Sequence, residues 1–142
     1  MQQQPSRRML GLDLGEVRIG IAISDPTGIL CTPLSAISRA ADASDIRLIV
    51  DLAHKEGAVG IVVGLPVTME GRRGTQAQAA LRYCDALKKA TTLPIATWDE
   101  RLSSVEAQAL LRDAGRKPSR NKGSIDSAAA ALILEAFLTK RR

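Results

Sequence analysis

The chain has 142 residues, of which 45% are hydrophobic and 25% are charged, and 20 Lys and Arg against 15 Asp and Glu give a net charge of +5. This length suits one compact domain and is too short for two. Tyr83, Trp98 and Phe137 are the only aromatic residues, which nearly excludes proteins that bind nucleic acid by stacking successive bases on aromatic side chains.

The first third of the chain predicts three strands joined by short turns. Residues 9–14 form a nearly continuous apolar run, typical of a strand that is covered on both faces. Residues 17–24 alternate with a period of two, and residues 25–28 form a turn sequence, after which residues 29–34 are predicted as the third strand. Pro33 indicates the end of that strand or an edge position. Three such strands form an antiparallel meander.

The rest of the chain alternates helices with strands. Apolar side chains at helical spacing predict helices over about residues 42–57 and 77–87, and short apolar runs at 59–63 and 94–98 predict two more strands. A capping box opens a third helix over about residues 103–114. A final helix carries an apolar stripe made of Ile125, Ala128, Ala129, Leu132, Ile133, Ala136 and Phe137.

The resulting order, βββαβαβαα, predicts an α/β domain. Its five-stranded mixed sheet combines the antiparallel meander with parallel strands, has the first strand near its centre and is flanked by helices. In such sheets functional groups gather at the carboxyl ends of the parallel strands. We expect a flexible leader over residues 1–8 and a single domain over residues 9–142.

Three acids stand at unusual places in this pattern. Asp13 interrupts a buried strand, where an ionised carboxylate needs hydrogen bonds, a paired charge or a metal to replace its lost hydration. Glu100 directly follows the fifth strand, and Asp126 lies in the first turn of the last helix beside its apolar stripe. If that helix packs beside the first strand, the three carboxylates converge on one site.

Each acid also has an ordinary structural explanation. Asp13 could form an ion pair with Arg18 across the hairpin, Glu100 could be a surface acid near a helix start, and Asp126 could belong to a helix start capped by Ser124. Taken together, three carboxylates without His or Cys select Mg²⁺ or Mn²⁺ rather than Zn²⁺. Two such ions can activate a water and stabilise the leaving oxygen of a phosphodiester.

Five segments of the chain together resemble one protein family. They are Gly11 to Gly15, Arg18 to Asp25, Gly64-Leu65-Pro66 with Met69-Glu70-Gly71, Asp99 to Ser104, and Ile125 to Ala129. In order and spacing they resemble the YqgF/RuvX family of bacterial RNase H-like proteins, described as pre-16S rRNA nucleases or Holliday junction resolvases, from about Met9 to Leu138. Glu70 stands where the family commonly has Asp, and Ser103 and Ser104 stand where Thr is common.

The resemblance implies an RNase H-like fold with Asp13, Glu100 and Asp126 as catalytic metal ligands of an Mg²⁺- or Mn²⁺-dependent nuclease. It implies structured nucleic acid as the substrate, with the 5′ end of precursor 16S rRNA as the main expectation and branched DNA, as for a Holliday junction resolvase, as the alternative. Ribosomal particles are expected partners, and a monomer and a homodimer are both open. Relatives of this fold often have a fourth acid in the site, for which Asp99 and Asp25 are candidates.

Basic residues near the predicted site are expected to contact nucleic acid. Residues 101–142 contain 9 basic and 4 acidic residues, whereas residues 1–100 contain 11 of each. A flexible basic loop beside a carboxylate site would hold phosphates on either side of the scissile one, although a solvated loop is the ordinary explanation. The predicted contacts are Arg18, Arg72, Arg73, Arg101, Arg116, Lys117, Arg120 and Lys122.

Two other classes of protein share these features. Gly11 to Gly15 also resembles the phosphate-binding turn of actin-like ATPases and sugar kinases, but these proteins need two related domains and this length supplies one. A non-catalytic nucleic-acid-binding module is the other alternative, and the presence of all three acids argues against it.

Cysteine content and the leader sequence predict a cytoplasmic protein without a membrane partner. Cys31 and Cys84 are too few for a disulfide framework, and Cys84 falls on the apolar face of a predicted helix, so both are expected to be reduced. Residues 1–8 lack the apolar stretch of a signal peptide, and no run of 18 apolar residues occurs.

Overall fold

The computed structural model describes residues 6–66, 74–100 and 127–141. In these ranges the elements are, in chain order, β1 (Met9–Leu14), β2 (Arg18–Ser24), β3 (Cys31–Ser38), α1 (Asp42–Lys55), β4 (Gly60–Leu65), α2 (Thr75–Ala90), β5 (Ile95–Asp99) and α3 (Ala128–Arg141). The predicted order of elements is confirmed over these ranges. The helix predicted over residues 103–114 lies outside them.

The five strands form one mixed sheet in the order β3-β2-β1-β4-β5. β1 pairs antiparallel with β2 and parallel with β4, and β5 pairs parallel with β4. The first strand is therefore central, as predicted. The ends of β1, β4 and β5, at Leu14, Leu65 and Asp99, lie along one edge of the sheet, which we call the carboxyl edge.

The third strand begins later than the sequence predicts. Residues 29–34 are predicted as strand, but β3 begins at Cys31 and continues to Ser38. The reason is the Asp25 carboxylate, which accepts hydrogen bonds from the backbone N–H groups of Ile29 (2.9 Å) and Leu30 (3.2 Å) and so lengthens the turn by two residues. Pro33 lies inside β3, and the expected edge position of this strand is confirmed.

A hydrophobic layer covers each face of the sheet. On one face, α1 and α2 pack on alternate residues of β1, β2 and β4, and this layer includes the buried, free Cys84. On the other face, α3 packs on Met9, Ala22 and Val62. Because side chains alternate along a strand, the side chains of residues 9 and 13 of β1 lie on the α3 face.

The buried face of α3 differs from the predicted stripe. A Cβ atom at Gly11 would lie 2.9 Å from the Leu134 Cβ and 3.0 Å from the Ala130 carbonyl oxygen, so α3 contacts β1 there at close range. Residues 128–134 are all apolar, so the sequence pattern alone does not determine which face of α3 is buried. The contact with Gly11 determines this face. The buried residues are Ala130, Ile133, Leu134 and Leu138, whereas Ala128, Ala129, Leu132 and Ala136 are half-buried.

The backbone is tied to the sheet from Arg7 onward. The N–H of Arg7 donates to the carbonyl oxygen of Pro26 (2.9 Å), and the Arg8 guanidinium donates to the carbonyl oxygen of Glu56 (3.1 Å). Both arginines fall inside the segment predicted as a leader. None of the helices in the described ranges is long and apolar enough to span a membrane.

Candidate active site

Two of the three predicted acids meet at the carboxyl edge. Asp13 lies on β1 one residue before its end, and Glu100 directly follows β5. Strand alternation directs the Asp13 side chain toward the α3 face, and its carboxyl group shares a hydrogen bond with that of Glu100. The structure therefore brings together these two acids, as the sequence predicts.

Burial raises the pKa of both carboxyl groups. For Asp13 burial is the main cause, and the hydrogen bond with Glu100 opposes it. For Glu100, burial, the charge of Asp13, the hydrogen bond with Asp13 and the charge of Asp99 together raise the pKa to about 7. Glu100 is thus the protonated donor and Asp13 the acceptor. Both groups become ionised at neutral pH only at a cost, unless a cation offsets their repulsion.

An ion pair with Arg18 does not account for Asp13. Burial and the hydrogen bond with Glu100 are the causes that act on the pKa of the Asp13 carboxyl group, and Arg18 is not among them. Arg18 begins β2 at the same edge of the sheet. Because the hydrogen-bond partner of Asp13 is a second half-buried acid with a raised pKa, the pair has the character of a functional site.

Gly64 makes room for the acid pair. It lies on β4, the strand between β1 and β5. A Cβ atom at Gly64 would lie 2.9 Å from Oε1 of Glu100 and 2.6 Å from Cδ1 of Ile133 on α3. Gly64 belongs to the Gly-Leu-Pro segment that is recognisable in the sequence, but the crowding by Glu100 and Ile133 comes from residues distant in the chain.

The start of α3 is fixed close to Asp13. Ser127 is fully buried, and its hydroxyl accepts a hydrogen bond from the N–H of Ile21 (3.0 Å). Ile21 follows Gly20, which is the partner of Asp13 in the β1–β2 ladder. The β2–β3 register shifts between Ile19 and Ile21, and such a shift interrupts the ladder so that a side chain can bind the backbone N–H.

Apart from Arg18 and Asp99, which lie at the carboxyl edge, the other predicted site residues of this edge lie outside the described ranges. Within those ranges, no group of three or more His, Cys, Asp and Glu side chains could hold a metal ion, and Asp13 and Glu100 are two of the three predicted ligands. Asp25 is not the fourth acid, because it follows β2 at the opposite edge. The residues outside are Asp126, Arg72, Arg73, Arg101, Arg116, Lys117, Arg120 and Lys122.

A groove of about 470 Å³ extends from the acid pair toward α2, lined by Arg39, Tyr83 and Gln76 among others. The Arg39 guanidinium donates to the carbonyl oxygen of Gly15 (2.9 Å) and lies 5.6 Å from the centroid of the Tyr83 ring. Arg39 is not among the site residues predicted from the sequence. The clue in the sequence would be that Arg39 directly follows the third strand, at the carboxyl edge. Because the strand was predicted to end at residue 34, this position was not recognised.

One protein-family model matches nearly the whole chain. It is RuvX, described as "Holliday junction resolvase", and it matches residues 7–140. A relative from Chloroflexus aurantiacus, named "Putative pre-16S rRNA nuclease", is 44% identical over 134 residues, which cover 94% of this chain and 88% of the relative. A relative of the same name from Mycobacterium ulcerans is 43% identical over 136 residues, covering 95% of this chain and 80% of the relative.

Solved structures of resolvases share the fold. RuvC of T. thermophilus in complex with a Holliday junction substrate has a TM-score of 0.61 at 12% identity, covering 94% of this chain and 95% of that one. The fowlpox virus Holliday junction resolvase has a TM-score of 0.56 at 10% identity, covering 94% and 99%. At these identities the likeness shows the fold alone, and the predicted RNase H-like class is confirmed.

Proposed function

The chain belongs to the RuvX family, and on this premise we propose that it is a metal-dependent nuclease that hydrolyses phosphodiester bonds in structured nucleic acid. The observation that carries the proposal is the pair of half-buried, hydrogen-bonded carboxyl groups of Asp13 and Glu100 at the carboxyl edge. The proposed substrate is precursor 16S rRNA, because relatives more than 40% identical over most of the chain are named pre-16S rRNA nucleases, and we propose that cleavage is at its 5′ end. A cytoplasmic location and binding to ribosomal particles follow from this substrate.

The donor set fits a divalent cation. Asp13 and Glu100 present carboxylate oxygens, the ligands that Mg²⁺ and Mn²⁺ prefer. Their raised pKa values indicate that the pair retains a proton near neutral pH, which a bound cation would displace. Bound in pairs, such ions supply an activated water and stabilise the leaving oxygen.

Asp126 is proposed as the third ligand. It precedes Ser127 in the chain, and the buried Ser127 hydroxyl bonds to Ile21, next to the ladder partner of Asp13. Three different elements would then contribute one carboxylate each. The basic residues named above, Arg18 included, are proposed to hold the phosphates around this site.

Cleavage of a precursor 16S rRNA 5′ segment tests the proposal. In the presence of Mn²⁺ we expect the purified protein to cut this RNA, and Asp13→Asn to abolish cutting without loss of folded structure. Asp51→Asn, which changes an exposed acid of α1, is the matched control and should retain full activity. Undiminished cutting by Asp13→Asn would overturn the site.

A four-way DNA junction is the second candidate substrate. The family description and the RuvC-like fold favour it. Precursor rRNA, duplex DNA and a four-way junction should be compared side by side with wild type and Asp13→Asn. Preferential cutting of the junction, lost in the variant, would replace rRNA as the proposed substrate.

A further inference from the structure

The groove beside the acid pair is lined by a basic side chain, Arg39, that has no role in the proposed reaction so far. Three acids, Asp13, Glu16 and Glu100, line it, and Arg39 is the basic residue among its described lining. A polyanion enters such a groove only where positive charge faces its phosphates. Arg39 is the described group in the groove wall that meets this requirement.

Arg39 is held in place by contacts that leave some of its N–H groups free to donate to a ligand. Its guanidinium donates to the Gly15 carbonyl oxygen (2.9 Å) and packs over the Tyr83 ring. A second nitrogen lies 3.4 Å from Oδ1 of the exposed Asp42, a kind of contact that contributes little to stability. Because a guanidinium has five N–H donors in a planar fork, donors remain for a ligand phosphate.

The first turn of α2 opens into the same groove. Gln76, in this turn, lines the groove. The helix begins after Gly74 with no side-chain cap among the described residues and no acid in its first turn. Backbone N–H groups of a first turn lack intrahelical partners and carry the positive end of the helix dipole. Such a helix end favours an anion.

A buried hydroxyl in the groove wall lacks a partner. Tyr83 is 4% exposed, and its hydroxyl has no hydrogen-bond partner in the described part of the chain. Burial raises the pKa of this hydroxyl to about 12, so it remains a donor at neutral pH. Because a buried donor without an acceptor is costly, this hydroxyl is a second and independent indication of a ligand. Since its oxygen is itself buried behind the groove wall, a ligand phosphate would reach it through a shift of the Tyr83 side chain.

We propose that the groove holds the phosphate adjacent to the scissile one, bound by Arg39 and by the first turn of α2 at Gln76, with the Tyr83 hydroxyl as a further donor. This inference rests on the proposed nuclease function and adds a phosphate subsite to it. The ligand is a backbone phosphate rather than a base, because the guanidinium of Arg39 covers the ring of Tyr83.

RNA binding in the Asp13→Asn background, which we expect to bind without cutting, tests this subsite. Binding of the labelled precursor rRNA segment is measured with Mg²⁺ at KCl concentrations from about 50 to 200 mM. We expect Arg39→Gln to lower affinity about tenfold, as for the loss of a hydrogen bond to a charged group. The slope of log K against log[KCl] should become shallower by about 0.7 to 0.9, the value for one phosphate.

Three further variants separate the subsite from other roles of these residues. Arg47→Gln removes an exposed charge from α1, outside the groove, and should leave the slope unchanged. Arg39→Lys should keep the slope of the background while losing part of the affinity, because it retains the charge without the fork. Tyr83→Phe should weaken binding about threefold to tenfold with no change of slope.

An unchanged slope in Arg39→Gln, with a lower melting temperature, would overturn the proposal and leave Arg39 as a support for the Gly15 turn. Equal changes in Arg39→Gln and Arg47→Gln would also overturn it, because the effect would then reflect net charge. Unchanged affinity in Tyr83→Phe would remove the hydroxyl from the subsite. Cutting by the Asp13→Asn background itself would contradict the proposed function, so that failure is distinguishable from failure of the subsite.

Discussion

The absence of a side chain at Gly64 allows the acid pair to form. Gly64 lies on the strand between Asp13 and Glu100, and the carboxyl group of Glu100 occupies the space that a larger residue would fill. Ile133 of α3 lies against the same position. Gly64 therefore affects both the position of Glu100, a candidate catalytic residue, and the packing of α3.

We predict that Gly64→Ala lowers nuclease activity about tenfold or more, because displacing a catalytic group by about 1 Å is sufficient for such a loss. Gly60→Ala is the matched control, since it adds the same methyl group to the same strand but meets the flexible end of Met9, with Cε at 2.8 Å. Cleavage rates are measured at a temperature where both variants are folded. Equal loss of activity in the two variants would contradict a specific role for Gly64.

The pKa of Glu100 makes stability depend on pH. This pKa is about 7 in the folded protein against an ordinary value of 4.5. The folded state therefore keeps a proton that the unfolded chain releases in this interval. The contribution to the free energy of unfolding is complete below about pH 4.5 and is lost as pH rises through about 7.

Because glutamine does not titrate, we predict that Glu100→Gln melts about 2 to 4 °C above wild type in EDTA at about pH 8. The difference should vanish below about pH 4.5, where Glu100 is protonated in both the folded and the unfolded state. Adding Mn²⁺ at the higher pH should raise the melting temperature of wild type more than that of the variant. Glu135→Gln, an exposed position on α3, is the control. A difference that is constant across pH would contradict the assignment.

At the scale of elements, α3 is placed by two contacts of unlike kind. Gly11 of β1 admits Ala130 and Leu134 at close range, and Ser127 binds the backbone N–H of Ile21. The first contact sets which face of α3 is buried. The second fixes where α3 begins, directly after the proposed ligand Asp126, so the register of this helix is linked to the site.

We predict that Ser127→Ala costs about 1 to 3 kcal/mol of stability, because the buried N–H of Ile21 loses its acceptor. We also predict a loss of activity of about tenfold from a misplaced third ligand. Ser24→Ala is the matched control, since the buried Ser24 hydroxyl accepts a hydrogen bond from the N–H of Met9 (2.8 Å) at the opposite edge.

Chemical denaturation and cleavage rates of these two serine variants distinguish the roles. Ser24→Ala should be destabilised by a similar amount while keeping its activity. If both variants lose activity in proportion to stability, the anchoring of the site by Ser127 is wrong.

At the scale of the whole molecule, one edge of the sheet carries the candidate chemistry. Asp13 lies near the end of β1, Arg39 follows β3 and Glu100 follows β5, and these three strands all end at this edge. The excess positive charge lies in residues 101–142, with 9 basic against 4 acidic residues. With three aromatic residues in the chain, recognition is expected to depend on the backbone and shape of nucleic acid.

We therefore predict steep salt dependence and little base preference. If about four phosphates are contacted, affinity should fall about a hundredfold between about 50 and 200 mM KCl. Labelled homopolymers of uridine and adenosine should bind with similar affinity in the Asp13→Asn background. A shallow salt slope together with strong preference for one base would contradict this mode of binding.

The fold was largely predictable from the sequence, and the errors in the predicted strand bounds have local causes. The order of elements and the central position of β1 followed from hydrophobic periodicity. The start of β3 was wrong because a single carboxylate, Asp25, lengthened the preceding turn. That error also hid Arg39, since its place at the carboxyl edge depends on where β3 ends.

The sequence by itself determined the alternation of strands and helices and singled out Asp13 and Glu100. Periodicity is a local property, and a carboxylate in an apolar strand is conspicuous without any structure. Only the tertiary structure decided that the partner of Asp13 is another acid, that Gly64 makes room for it, and which face of α3 is buried. These features depend on contacts between residues far apart in the chain, which a local pattern does not encode.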